Sequence, residues 1–282
     1  MIPPVVTADW LTEHPEAVLA DVRWYLDGRS GRDAHGLGHL PGAVFIDLDA
    51  ALASEGSPET GRHPLPEPQV FADAMGAAGI GEGSVVVAYD DAGGASAGRL
   101  VWLLRLLGVD AALLDGGIDH WAGPLEDGPV PAASTTFPSQ PWPPDHLATI
   151  DDAATAPLVV DARAPERYRG EVEPVDPRAG HIPGAINIPF SGNLADGFFR
   201  SPGELRERYA EHGITDAAGV VVSCGSGVTA CHDLIAMEHA GLGRGRLYPG
   251  SWSQWSNTER PAETGPQPGS KPSIDPTGRI SG

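Results

Sequence analysis

The sequence predicts an α/β protein of two tandem domains, each a mainly parallel β-sheet flanked by helices. The chain has 282 residues, of which 41% are hydrophobic. This length exceeds one ordinary domain, and the apolar content is sufficient for two cores. An internal repeat connects the two halves, and within each half short apolar runs alternate with amphipathic stretches. That alternation is typical of parallel sheets covered by helices.

The repeat consists of landmarks that recur in the same order. Asp-Val-Arg at 21–23 and His-Leu-Pro-Gly-Ala at 39–43 return as Asp-Ala-Arg at 161–163 and His-Ile-Pro-Gly-Ala at 181–185. An apolar run that ends at Asp90 returns as a run that ends at Cys224. This period is much longer than the ~20–50 residues of solenoid repeats. The pattern therefore indicates a duplicated domain.

The repeat and the composition together predict the domain boundaries. We expect a first domain at residues 1–122, a linker at 123–146, a second domain at 147–260 and a flexible tail at 261–282. The linker contains seven prolines and little periodicity, and the tail is rich in Pro, Gly and Ser. Such compositions are typical of surface connections and flexible termini.

The second half shows its elements most clearly. Residues 158–161 and 220–223 are short apolar runs with the composition of buried strands. Ser-Pro-Gly-Glu at 201–204 has the order of an N-cap, N1 and N3, which predicts a capped helix that runs to about His212. A further helix is predicted at 229–240, where a glycine follows and closes it.

Charge and cysteine content argue against several classes of function. The net charge is −20, so phosphate backbones and anionic bilayers are repelled, and neither nucleic acid nor a membrane is an expected partner. Two cysteines make neither a disulfide framework nor a CxxC metal pair. The N-terminus lacks the features of a signal peptide, and no apolar run reaches the ~20 residues of a membrane span. We expect a cytoplasmic protein with reduced thiols.

Cys224 is the candidate reactive residue. It follows a predicted strand and precedes Gly225-Ser226-Gly227 and a predicted helix, which is where open α/β sheets bind ligands. The two glycines let successive N–H groups turn inward, and such a nest at a helix N-terminus favours a thiolate and holds an anion against it. The alternative is a buried structural cysteine, which we expect for Cys231 inside the helix.

The first half has Asp90 at the position of Cys224. A carboxylate lacks thiol chemistry, and its charge would oppose an anionic substrate in the same nest. We therefore expect the first domain to be inert and to serve as a packing partner for the second.

These features resemble the two-domain rhodanese family over roughly residues 5–258. The resemblance is carried by the duplicated domain, the His-Ile-Pro-Gly-Ala box, Cys-Gly-Ser-Gly-Val-Thr-Ala at 224–230 and Gly-Ser-Trp-Ser-Gln-Trp at 250–255. The loop is similar to that of 3-mercaptopyruvate sulfurtransferases, whereas thiosulfate sulfurtransferases more typically carry Arg-Lys after the cysteine. The resemblance implies two rhodanese-like domains. It also implies sulfur transfer from a donor to Cys224, then from the persulfide to a thiol or cyanide, without a cofactor.

The resemblance further implies roles for individual residues. Arg167 matches the family arginine that contacts the anionic group of the donor. Arg178 is the candidate for a second such arginine, although it lies 11 residues after Arg167, a longer spacing than the family pattern. Ser226, His63 and Asp49 fit a Ser–His–Asp relay that protonates the departing enolate. The other implied donor-binding positions are Gly225, Gly227, Val228 and Thr229.

The implied partners are a small anionic sulfur donor and a thiol acceptor, such as a small thiol or a thioredoxin-like protein. A thiosulfate sulfurtransferase and a non-catalytic regulatory module are alternatives. The intact cysteine loop and Arg167 argue against the second alternative. A cysteine-based phosphatase needs an arginine six residues after the cysteine, where this chain has Ala230.

The histidines have structural interpretations as well. His39 and His181 recur in both halves, which favours a role in the fold. His35 and His39 have the spacing of a helical metal pair, but Gly36 and Gly38 argue against a helix there, so no metal site is predicted. His63 lies among prolines and also fits an ordinary surface loop.

Overall fold

The chain forms two compact units, and the computed structural model describes residues 1–271, 273–274 and 280–281. Unit 1 comprises Met1–Ser54, Leu65–Pro143 and Leu194–Ser201. Unit 2 comprises Glu55–Pro64, Pro144–Asn193 and Pro202–Gly282. The predicted α/β architecture with mainly parallel sheets is confirmed.

Unit 1 is built on a five-stranded sheet in which every pairing is parallel. Its strands are β1 (Val5–Val6), β2 (Val18–Asp21), β3 (Val44–Phe45), β4 (Val85–Tyr89) and β5 (Asp110–Leu114), in the spatial order β1-β5-β4-β2-β3. Its helices are α1 (Ala8–Glu13), α2 (Gly31–Leu37), α3 (Leu48–Ala51), α4 (Pro68–Ala77) and α5 (Ala97–Leu106). A short antiparallel pair, β8 (Leu194–Ala195) and β9 (Phe198–Phe199), completes it.

Unit 2 has a four-stranded sheet that is also entirely parallel. Its strands are β6 (Leu158–Asp161), β7 (Ala185–Asn187), β10 (Val220–Ser223) and β11 (Arg246–Leu247), in the spatial order β11-β10-β6-β7. Its helices are α6 (Ile150–Thr155), α7 (Pro165–Tyr168), α8 (Pro202–Ala210), α9 (Ala230–His239) and α10 (Ser251–Trp255). Short 3-10 turns lie at Pro144–His146 and Phe190–Asn193, and β12 (Ser273–Ile274) pairs with β13 (Ile280–Ser281).

The central strands of both sheets are continuous valine-rich runs because they are buried on both faces. All four residues of β10 are buried, and so are four of the five residues of β4. Around them lie separate hydrophobic cores. The core cluster of unit 2 contains Val159, Ile182, Val221, Tyr248, Trp252 and Trp255 together with small alanines, and that of unit 1 contains Val6, Leu40, Val87, Tyr89, Ala112 and Leu114.

The elements predicted in the second half are confirmed with small shifts at their ends. Strands β6 and β10 have the predicted limits. Helix α9 begins one residue after Thr229 and ends one residue before Ala240, and Gly241 follows with a φ of 76°. Helix α8 ends at Ala210, two residues before the predicted His212.

The prediction that no helix forms around His35 is wrong. Helix α2 includes both His35 and Gly36, and Ser30 caps it by accepting a hydrogen bond from the Asp33 N–H. The rings of His35 and His39 stack at 4.0 Å, and each ring has a nitrogen within hydrogen-bond distance of a backbone carbonyl. Capping and burial outweigh the intrinsic cost of the glycine. Among the described residues, no cluster of three metal-ligating side chains occurs.

The predicted linker and the described part of the predicted tail both contact the folded units. Within residues 123–146, the Thr135 N–H donates to the Gly76 carbonyl, and Phe137 packs edge-on against Phe71. Within the tail, Glu263 pairs with His181 by backbone hydrogen bonds. The tail positions 272, 275–279 and 282 lie outside the described residues, and the flexibility of the tail stays a prediction.

No helix in the described ranges combines the length and the apolarity that crossing a bilayer requires.

Candidate functional site

Cys224 lies at the carboxyl end of β10, the strand between β6 and β11 in the unit 2 sheet. Its side chain is only 2% exposed. A short loop at 225–229 connects it to α9. The structure thus has the predicted sequence of strand, tight loop and helix, at the edge where parallel sheets bind ligands.

One backbone N–H contacts the sulfur, and further hydrogen bonds hold the loop in place. The Gly227 N–H donates to Cys224 Sγ at 3.1 Å. The Cys224 N–H donates to Ser251 Oγ at 3.1 Å. From α10, the N–H of Trp252 donates to the Cys224 carbonyl at 3.0 Å, and the N–H of Ser253 donates to the Gly225 carbonyl at 2.8 Å. The first turn of α10 therefore fixes the position of the cysteine loop.

Glycine is required at position 227 for two reasons. Its φ of 78° lies in the left-handed region, which residues with a side chain rarely adopt. A Cβ atom there would also lie 2.6 Å from the Pro249 carbonyl oxygen. The tight turn that aims the Gly227 N–H at the sulfur thus depends on the absence of a side chain.

A segment from the first half of the sequence completes the site within unit 2. Residues 55–64 belong to this unit, and the Arg62 N–H donates to Ser253 Oγ at 2.9 Å. Gly61 makes the close approach possible, because a Cβ atom there would lie 2.5 Å from the Gly250 carbonyl oxygen. His63, which follows Arg62, is buried, and its Nδ1 lies 2.8 Å from Ser226 Oγ. The structure therefore brings His63 and Ser226 together.

Two arginines lie over the loop at Gly225. A methyl group on Gly225 would meet Arg62 Nη2 at 3.2 Å and Arg167 Nη1 at 3.3 Å. Arg167 lies on α7, and its Nη2 donates to Glu173 at 2.7 Å and to Asp176 at 3.4 Å. Nη1 of Arg62 donates to Asp176 at 2.5 Å. Arg167 was predicted from the sequence as a site residue, whereas Arg62 was not.

Two buried carboxylates hold these arginines. Asp176 is 3% exposed and Glu173 is 4% exposed. Burial raises the pKa of Asp176, Arg62 acts in the opposite direction, and the neighbouring Glu173 raises it further. Burial alone would lower the pKa of Arg163, but its ion pair with Asp161 raises that pKa above its ordinary value. Three arginines in this region are thus paired with three carboxylates.

Arg178 is not brought to the loop. Its Nε donates to the Ser256 carbonyl, Nη1 to the Arg260 carbonyl and Nη2 to the Trp255 carbonyl, at 2.9–3.0 Å. Each guanidinium nitrogen therefore carries one main-chain bond, and Arg178 holds the chain that follows α10. The long spacing from Arg167 in the sequence agrees with this different position.

The other predicted site residues divide between the two units. Val228 is buried and Thr229 is half-buried at the start of α9. Asp49 belongs to unit 1, where its N–H bonds to Asp47 and its carboxylate accepts a hydrogen bond from the Trp24 indole at 2.9 Å. The participation of Asp49 in a relay stays a prediction.

Several site residues were not found from the sequence. These are Arg62, Glu173, Asp176, Ser251 and Ser253. Arg62 could have been found, because it precedes the candidate His63 and because a chain of charge −20 needs local cations to bind an anion. The serines give no such signal, since their role depends on how α10 packs against the loop.

The equivalent loop of unit 1 is filled by its own carboxylate. Asp90 follows β4 and accepts four backbone hydrogen bonds of 2.8–2.9 Å from the N–H groups of Ala92, Gly94, Ser96 and Ala97. Burial raises the pKa of Asp90, and the four hydrogen bonds act in the opposite direction. The nest is an anion site whose donors are already used by the side chain.

Cys231 differs from Cys224 in its surroundings. It lies inside α9, is fully buried, and its Sγ donates to the Gly227 carbonyl at 3.4 Å. It is one helical turn away from the nest that surrounds Cys224, which agrees with a packing role.

Known proteins resemble this chain over most of its length. A family model described as a rhodanese-like domain matches residues 7–124 and 143–258. A Pseudomonas aeruginosa protein named "Probable 3-mercaptopyruvate sulfurtransferase" is 41% identical over 270 residues, which cover 89% of this chain and 93% of that protein. A Mycobacterium tuberculosis protein named "Putative thiosulfate sulfurtransferase SseB" is 41% identical over 253 residues, covering 86% and 88%. The structure of 3-mercaptopyruvate sulfurtransferase from Leishmania major covers 91% of this chain and 75% of its own, with a TM-score of 0.81 and 33% identity.

Proposed function

This chain belongs to the rhodanese family, and on that premise we propose that it is a sulfurtransferase that accepts sulfur from 3-mercaptopyruvate on Cys224. The observation that carries the proposal is the loop itself. Cys224 Sγ, at the end of a parallel strand, accepts a hydrogen bond from the Gly227 N–H. Ser226 contacts His63, and two arginines lie over Gly225. These groups supply a nucleophile, a route for a proton and cations for an anionic donor.

The first step is attack of the Cys224 thiolate on the sulfur of 3-mercaptopyruvate. A sulfur–sulfur bond forms as the carbon–sulfur bond breaks, and the bonding pair goes to the carbon, which leaves the enolate of pyruvate. The donor's sulfur keeps its hydrogen, so the enzyme becomes a cysteine persulfide. The Gly227 N–H and the start of α9 stabilise the thiolate before attack.

The enolate then needs a proton. Ser226 Oγ lies on the loop beside Cys224 and is 2.8 Å from His63 Nδ1. A hydroxyl in that position donates a proton to the enolate carbon, and His63 replaces it by donating to the serine oxygen. The resemblance to the family implies Asp49 as the third member of a Ser–His–Asp relay. The net result is pyruvate and the persulfide.

The second half-reaction transfers the outer sulfur to an acceptor. A thiolate attacks that sulfur, the sulfur–sulfur bond of the persulfide breaks, and the Cys224 thiolate returns. A small thiol, a thioredoxin-like protein or cyanide fits this chemistry, and it requires no cofactor. The need for reduced thiols places the reaction in the cytoplasm.

The donor preference follows from charge. Thiosulfate is a dianion that leaves as sulfite, so its departure requires net positive charge beside the sulfur. The positions directly after Cys224 carry no cation, and the nearby Arg62 and Arg167 are paired with the carboxylates Asp176 and Glu173. A monoanion that needs a proton suits this site better. The name of the Mycobacterium tuberculosis relative keeps thiosulfate as the second candidate.

Steady-state kinetics with both donors test the proposal. With one thiol acceptor at fixed concentration, we expect kcat/KM for 3-mercaptopyruvate to exceed that for thiosulfate by at least about tenfold, or about 1.4 kcal/mol in transition-state binding. Pyruvate and sulfite are the measured products, and Cys224→Ser should release neither above background. A higher kcat/KM for thiosulfate would assign the chain to the alternative.

The same assay with Ser226→Ala tests the proton route. Loss of the hydroxyl should lower kcat for 3-mercaptopyruvate more than kcat for thiosulfate, because sulfite leaves without a proton. An equal loss with both donors would mean that Ser226 holds the loop and carries no proton.

A further inference from the structure

Arg62 is held at both ends beside the cysteine loop. Its backbone N–H donates to Ser253 Oγ on α10, and Nη1 of its guanidinium donates to the buried carboxylate of Asp176. The side chain is 27% exposed. A long flexible side chain loses conformational entropy when it is fixed in this way.

The free sides of two guanidinium groups converge on one point. Arg62 uses Nη1 for Asp176, and Arg167 uses Nη2 for Glu173 and Asp176. The remaining terminal nitrogens are Arg62 Nη2 and Arg167 Nη1. These two atoms lie 3.2 Å and 3.3 Å from the position that a methyl group on Gly225 would occupy. Because Gly225 directly follows Cys224, this point lies next to the reactive residue in the chain.

The N–H groups on those sides lack acceptors within the described part of the chain. The hydrogen bonds of the Arg62 side chain go only through Nη1, and those of Arg167 only through Nη2. The Nε atoms of both arginines are buried without a partner among the described residues. Buried N–H groups are almost always hydrogen-bonded, so such groups require an explanation. Two arginines that share a carboxylate on one side and converge on the other can bind an anion between them.

We propose that Arg62 is the second arginine of the donor site, that Arg62 and Arg167 together bind the donor's carboxylate, and that Asp176 positions both guanidinium groups. The identity of the donor rests on the proposed function. A carboxylate has two oxygens and a single charge, which matches one free side from each arginine. The role predicted for Arg178 passes to Arg62, which comes from a distant part of the sequence but from the same compact unit.

Variants of Arg62 test this proposal through a separation of KM from kcat. In Arg62→Gln we expect KM for 3-mercaptopyruvate to rise by about tenfold or more, the size of a lost charged hydrogen bond, with a smaller change in kcat. Arg62→Lys should be intermediate, because an ammonium keeps the charge but cannot bond Asp176 and the donor with a planar fork. The matched control is Arg169→Gln, which removes an arginine ion-paired with the exposed Glu171 in the same unit and should leave KM unchanged.

Binding of pyruvate provides a readout that does not depend on turnover. In the Cys224→Ser background, Arg62→Gln should weaken pyruvate binding by a factor similar to the rise in KM, as measured by calorimetry. Failure of the wild type to release pyruvate would contradict the proposed function. The calorimetric measurement of pyruvate binding would still test the role of Arg62. Equal dissociation constants with and without Arg62, or no pyruvate binding in the parent, would overturn the inference. If Arg62→Gln does not fold, an unchanged KM in folded Arg62→Lys has the same meaning.

Discussion

At the scale of single residues, the two halves differ in the side chain that follows the central strand of each sheet. In unit 2 the position after the central strand is Cys224, whose sulfur accepts the Gly227 N–H. In unit 1 it is Asp90, whose carboxylate accepts four N–H groups. Equivalent loops therefore direct a backbone N–H at a sulfur in one unit and four backbone N–H groups at a carboxylate in the other. Because these four donors are used by Asp90, we expect this nest to bind no anionic substrate.

Replacement of Gly227 should affect both stability and activity. Gly227→Ala places a Cβ atom 2.6 Å from the Pro249 carbonyl and keeps a φ of 78°, so the loop must shift and its N–H must move away from the sulfur. The control is Gly219→Ala, at a φ of 83° with no atom near the new methyl group, which should cost about 1 kcal/mol in the free energy of unfolding.

Denaturant unfolding and donor kinetics measure the difference. We expect Gly227→Ala to lose at least about 1 kcal/mol more than the control and to lose most of its kcat/KM, because overpacking against backbone is costly. If both variants behaved alike, the close approach to Pro249 would have no consequence for the site.

At the scale of elements, the sequence was sufficient where the physics is local. Strands β6 and β10 and helix α9 follow from valine-rich runs, a glycine-rich loop and a closing glycine, and their limits agree with the prediction within one residue. Helix α2 was missed because its glycines disfavour a helix, whereas the Ser30 cap and the burial of His35 favour it. Local propensity loses to capping and packing at such positions.

Helix α9 also contains a buried carboxylate that should make stability depend on pH. Asp233 is fully buried, and Asn193 Nδ2 donates to its Oδ1 at 2.6 Å, whereas Oδ2 has no partner within the described residues. Burial raises the pKa of Asp233 from 3.8 to about 7, with Asn193, Arg208 and Tyr209 acting in the opposite direction. Between the ordinary pKa of 3.8 and a pH of about 7, Asp233 therefore keeps its proton in the folded state and has lost it in the unfolded state.

Because the folded pKa is the higher one, the contribution of Asp233 to stability is largest below the unfolded pKa and falls as the pH rises towards about 7. We expect Asp233→Asn, which stays neutral, to gain stability relative to the wild type between about pH 5 and about pH 8, by up to about 2 kcal/mol. Thermal unfolding at several pH values measures this. The exposed Asp127→Asn is the control, and a pH-independent difference for Asp233→Asn would contradict the assignment.

At the scale of the whole molecule, the duplication was visible in the sequence but its exact partition was not. Residues 55–64 precede the predicted boundary at 122, yet they belong to unit 2 and bring Arg62 and His63 to its cysteine loop. Conversely, residues 194–201 from the second half belong to unit 1. Such exchanges depend on contacts between distant segments, for which periodicity and composition give no signal. For the same reason the sequence did not predict that the Arg178 side chain bonds to three main-chain carbonyls after α10.

The two arginines near Gly225 are local positive charges in a chain whose net charge is −20. An acidic chain repels small anions at long range, so an anionic donor stays at the site only through short-range contacts with fixed cations. The low overall potential for anions therefore favours fixed arginines beside the loop, and Arg62 and Arg167 are the two that lie near Gly225.

The central claim is that Cys224 alone carries the transferred sulfur, and intact-protein mass spectrometry after donor treatment tests it most directly. With 3-mercaptopyruvate and no acceptor, the wild type and Cys231→Ser should each gain one sulfur atom, and a later thiol should remove it. Cys224→Ser should gain none, because Cys231 lies inside α9 without the nest. A persulfide that persists in Cys224→Ser, or a wild type that gains no sulfur from either 3-mercaptopyruvate or thiosulfate, would contradict the claim.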